Sequence, residues 1–177
     1  MSDVFAGQII RAADNADHES RIDTLESHIL LTAYCSSDSS AVANDSTVND
    51  DPELFIPVPS TGTYAIDGYL VWYCTSTTPD LRAAWSMPSG ATIPWWSIIG
   101  PNSSATGAVT SGDWAAVAGS SEHGRATANA AMSGIIRGML VLGGTAGNLT
   151  FRWSQVTSDA ASITRKRGSW ITLTKVA

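Results

Sequence analysis

The chain has 177 residues, a formal net charge of −6 and only 15% charged residues. That length suits one domain with a small appendage, large enough to bury about 70% of its unfolded surface without a metal or disulfide staple. The acidic balance argues against nucleic acid as a partner, no apolar run approaches the ~20 residues of a membrane helix, and the opening MSDVFAGQII, with Asp3 and no apolar core, does not read as a secretory signal.

Residues 1–10 show neither helical nor strand periodicity and read as an extended arm with Val4, Phe5, Ile9 and Ile10 as its apolar side chains. Apolar groups in so short a terminal segment call for a partner. From Ala12 the chain turns helical, with no Gly or Pro through Leu31. Ile22, Leu25 and Ile29 are spaced three then four apart, and the same register places Asn15 and His18 on one seam. A helix of about 17 residues is marginal alone, so its seam meets either its own domain or copies of itself.

From Tyr34 onward the sequence reads as β. Leu54, Ile56 and Val58 alternate; Tyr64, Ile66, Leu70 and Trp72 share one parity; Leu81, Ala83 and Trp85 repeat the pattern; Thr92–Ile99 follows the Met87-Pro88-Ser89-Gly90 turn. Trp114 and Val117 anchor a stretch rich in Ser, Gly, Ala and Thr. Residues 127–142 predict two strands broken at Gly134 or Gly138. Gly143 to Gly147 predicts a hairpin turn, followed by a strand through Leu149, Phe151 and Trp153. A closing strand runs from Trp170 to Val176, with Ile171 and Leu173 on one face. Strands at this spacing indicate a sandwich or barrel. The domains are then 1–33, arm and helix, and 34–177, sandwich.

Candidate chemistry is sparse. Asp50, Asp51 and Glu53 read as solvated acids at a turn, Arg165-Lys166-Arg167 as a solvated hairpin tip, and Glu122-His123 as a polar loop facing solvent. His18 and His28 are about 15 Å apart along a helix and cannot share a metal within one chain. Cys35 and Cys74 read as two partly buried free thiols, with a disulfide between them as the alternative. No nucleophile elbow, zinc helix or phosphate loop occurs, so neither an enzyme nor a cofactor is expected. The adjacent Trp95 and Trp96 point to opposite faces of a strand, which makes one core and the other exposed, and the pair is the candidate contact for a glycan.

The phrases FAGQIIRAADNADHESRIDTLE, NDSTVNDDPELFIPV, TYAIDGYLVWY, DLRAAWSMPSGATIPW and GMLVLGGTAGNLTFRWSQVTSDAASITRKRGSWITLTKV resemble those of virion proteins from tailed phages of actinobacteria: small capsid-decoration, head-fibre or minor tail proteins. Trp95-Trp96 departs from related phrases, which carry a less bulky pair. The resemblance implies a mainly β fold, a trimeric jelly-roll β-sandwich like that of tumour necrosis factor, on a short N-terminal arm and helix. It makes Ile22, Leu25 and Ile29 a trimer seam, and Val4, Phe5, Ile9 and Ile10 the contacts to a major capsid or tail protein of the same phage. The protein would be made in the host bacterial cytoplasm and displayed on the virion surface. The alternative it leaves open is a minor tail or receptor-binding head that recognises host surface glycans.

Overall fold

The computed structural model describes residues 14–21, 30–101, 109–110, 120–124 and 128–177. A short helix, α1, covers residues 14–21 with every side chain exposed. The strands that follow are β1 (Leu30–Tyr34), β2 (Asn49–Val58), β3 (Thr63–Cys74), β4 (Leu81–Ser86), β5 (Thr92–Pro101), β6 (Val109–Thr110), β7 (Ser121–His123), β8 (Ala130–Val141), β9 (Gly147–Gln155), β10 (Ile163–Arg165) and β11 (Trp170–Lys175).

They form two antiparallel sheets. The larger runs β1-β11-β3-β8-β5-β6, with β10 also paired to β3; the smaller runs β2-β9-β4-β7. The pairing is nested: β1 with β11, β2 with β9, β3 with β8, β4 with β7. Successive nested pairs fall in alternate sheets, which is the winding of a jelly roll. The chain is therefore a mainly β, jelly-roll β-sandwich, as its alternating pattern and its resemblance led us to expect. The first strand starts at Leu30, so Leu30 and Leu31 lie in the sandwich rather than at the end of a helix.

Period-two alternation places the core. On β3, Tyr64, Ile66, Leu70 and Trp72 are buried; on β9, Leu149, Phe151 and Trp153; on β11, Ile171 and Leu173. Trp85 of β4 meets Phe151 and Trp96 edge-on, at ring separations of 5.2 and 5.9 Å, a favoured geometry for aromatic pairs. Each sheet has an edge at β1 or β2. The β2 edge carries Pro52 and Pro57, which cannot donate to a further strand.

One expectation fails at β8, which is a single continuous strand through Gly134 and Gly138. Both glycines sit on the core-facing parity, and neighbouring side chains use their space. A Cβ on Gly134 would come within 2.5 Å of Ile98 Cγ2, and one on Gly138 within 2.9 Å of Trp96 Cβ. They make room for large side chains on β5 and do not turn the chain.

Candidate functional site

The outer face of the larger sheet is built by the other parity of the same strands. Register aligns its side chains into rows. Tyr34, Trp170, Tyr69, Ile135 and Ile99 stand directly opposite one another across β1, β11, β3, β8 and β5. Tyr34 is 60% exposed, Ile135 42%, Ile99 38% and Tyr69 37%. Two residues along lies a polar row of Thr32, Thr172, Asp67, Arg137 and Ser97, and two further along a row of Leu30, Thr174, Ala65, Met139 and Trp95. Asp67 and Arg137 form an ion pair on the open sheet. Between the first two rows is an open hollow of about 520 Å³ walled by Tyr69, Trp170 and Ile135, with Gly68 lining it and the ion pair at one side.

The outer face of the smaller sheet is different in kind. Arg152 meets Asp50 at 2.8 Å and Arg82 meets Glu122 at 3.3 Å. The chain before β2 crosses it: Ser154 Oγ donates to the Ser46 carbonyl at 3.1 Å, and Arg152 Nη2 to the Val48 carbonyl at 2.8 Å. Of the large apolar side chains exposed among the described residues, five lie on the larger sheet's outer face (Leu30, Tyr34, Tyr69, Ile99, Ile135) and only Phe55 and Val176 lie elsewhere. That asymmetry selects the face.

A second cluster lies inside. Asp51 and Arg165, both expected in solvent, are 1% exposed. Arg165 Nε donates to Asp51 Oδ2 at 2.9 Å, and Nη2 donates to Asp51 Oδ1 at 3.1 Å and to Glu53 Oε2 at 3.0 Å. Trp153 Nε1 donates to Asp51 Oδ2 at 2.9 Å, and the Glu53 and Leu54 amides donate to Oδ1. Ser36 Oγ donates to Glu53 Oε1 at 2.8 Å, and that bond leads those that hold the Glu53 carboxyl below its usual range. A buried ion pair is retained only when such partners fill its hydrogen-bonding capacity. Each Asp51 oxygen accepts at least two bonds, so its hydrogen-bonding capacity is filled within the fold. The cluster is a clamp joining β2, β9, β10 and the chain after β1.

The remaining candidates sort by burial. His123 is 2% exposed, not solvated, and its ring meets Trp72 edge-on at 6.3 Å. Its place in the three-residue β7 opposite Leu81 puts it on the core parity, a placement that a Glu-His-Gly sequence reading as a loop conceals. Trp96 is core at 2% exposed, while Trp95 is half-buried on the outer face; a glycan contact from this pair falls to Trp95 alone. Cys35 and Cys74 form no disulfide and are fully buried, with Cys74 Sγ 3.4 Å from the Pro79 carbonyl oxygen. Ile22, Leu25 and Ile29 of the seam, and Val4, Phe5, Ile9 and Ile10 of the arm, lie outside the described residues, as do Trp114 and Val117. Among the described residues no group of His, Cys, Asp and Glu has the arrangement to hold a metal ion.

Fold and face together define a jelly-roll sandwich with one apolar outer surface. No family model matches the chain, and no curated protein matches it. Among solved structures it is similar to the Eiger TNF from S. frugiperda, at 12% identity over 85% of this chain and 93% of that one, with a TM-score of 0.44. It is also similar to an infectious bursal disease virus structure, Gt strain, at 9% identity over 84% of this chain and 42% of that one, with a TM-score of 0.27.

Proposed function

We propose that this chain is a structural component of a phage particle: a self-associating β-sandwich head that decorates the capsid or projects from it as a head fibre. The observation that carries the self-association is the row of Tyr34, Trp170, Tyr69, Ile135 and Ile99 across five strands. Contiguous exposed apolar surface on a soluble domain marks an interaction site, and Tyr and Trp are the residues that anchor such contacts. The phage setting is supported by the resemblance of the sequence blocks, above all Asp80–Trp95 and Leu140–Val176. In this reading Ile22, Leu25 and Ile29 gather three leaders, Val4, Phe5, Ile9 and Ile10 dock the arm on a capsid or tail protein, and the head does no turnover. The clamp around Arg165 serves rigidity.

The test has two parts. Antibody to the chain should find it in purified particles at many copies, with adsorption unharmed by its loss. A version lacking residues 1–11 should fold and no longer join particles. Absence from particles, or normal incorporation of the truncated chain, rejects the reading.

A further inference from the structure

Resting on the self-association reading, we infer that the larger sheet's outer face pairs with the same face of a second copy about a two-fold axis running along the strands between β3 and β8. The argument comes from the rows. Two copies stacked face to face about that axis keep each row over itself and exchange left for right, so what stands on β3 meets what stands on β8, and β11 meets β5. Asp67 then faces Arg137 of the second copy, and Arg137 faces its Asp67. In the apolar row, Tyr69 faces Ile135 and Trp170 faces Ile99. In the third row, Ala65 faces Met139 and Thr174 faces Trp95, small against large each time.

The other in-plane axis, across the strands along the polar row, would set Asp67 over Asp67 and Arg137 over Arg137. Like charges brought together while losing solvent are costly, so the charges choose the first axis. A two-fold contact is self-complementary, residue i meeting j and j meeting i, and aligned stacking at about 10 Å is how sheets pack. The rows cover about 20 Å across the strands and about 13 Å along them, from strand spacing and rise per residue, the centre of a modest interface once the rim is added. Where the leader gathers three chains, this contact joins heads of separate threes, because three faces cannot pair two by two.

The experiment uses two full-length variants, Asp67→Arg and Arg137→Asp. Each alone carries like charges at both positions and should associate through this face at least tenfold more weakly than the native chain, with the fold checked by circular dichroism. Mixed one to one, the chains restore opposite charges at both facing positions, and native-strength pairing should return as a one-to-one species in native mass spectrometry. Alternating partners close in a pair but not in a ring of three. As a second measurement, a bismaleimide of about 10 Å reach should link Thr172→Cys chains to Ser97→Cys chains in a mixture, and neither variant to itself. A native chain that associates while the mixture gains nothing over the single variants and no Thr172–Ser97 link forms overturns the two-fold pairing. A native chain that never associates overturns the self-association reading as well.

Discussion

Replacing Arg165 by Met would leave Asp51 buried and charged without its guanidinium, and removing one partner of a buried ion pair costs about 3–5 kcal/mol. Urea unfolding of Arg165→Met should show that loss, and adding Asp51→Asn should return part of it, since the amides and Trp153 still have an acceptor. A full-stability Arg165→Met chain would mean the clamp is idle. Cys35 supplies a second residue-scale prediction. Burial raises its thiol pKa to about 12, against a weaker opposing pull from Arg165. The folded thiol holds its proton where the unfolded one has lost it, so stability falls as pH rises, by about 1.4 kcal/mol per unit from pH 9 until the folded pKa. Native protein should resist a thiol reagent at pH 8 and react only on unfolding; fast native reaction at Cys35 contradicts its burial.

At the scale of elements, the turns at one end of the sandwich touch through glycines. A Cβ on Gly143, after β8, would lie 2.0 Å from the Gly90 carbonyl oxygen between β4 and β5. Backbone cannot yield as a flexible side chain can, so Gly143→Ala should cost at least the ~1–3 kcal/mol of core overpacking. Gly144→Ala meets no atom but sits at φ +96°, a smaller penalty of roughly 1 kcal/mol. Thermal melts of the two should rank in that order. The segment after β1 is held by acids. Ser36 and Arg165 hold the Glu53 carboxyl low, and Lys166 and the Arg167 amide hold the Asp38 carboxyl low. Groups with depressed folded pKa contribute above their unfolded pKa, near 4, and lose that contribution as pH falls through the folded value. Protection of the amides of residues 36–39 against exchange should therefore weaken below about pH 4 ahead of that of the core strands.

For the molecule as a whole, alternation made the core legible: Tyr64, Ile66, Leu70 and Trp72, or Leu149, Phe151 and Trp153, need only a count of two. The face on the opposite parity was not legible as a site. Tyr34, Trp170, Tyr69, Ile135 and Ile99 become neighbours through cross-strand register, which no single strand encodes. The clamp was hidden for the same reason, since Asp51 and Arg165 read locally as turn residues and meet only across 114 positions. Gly134 and Gly138 misled because a glycine that makes room looks, in sequence, like one that breaks a strand. What the arrangement gives is a sandwich with one apolar outer surface, which we assign to other copies. Mass photometry of the full chain across a tenfold range at micromolar concentration tests that most directly. The account predicts multimers that shrink to what the leader alone holds together when Tyr69→Lys and Ile135→Lys are combined; a single chain throughout, or multimers indifferent to those two changes, contradicts it.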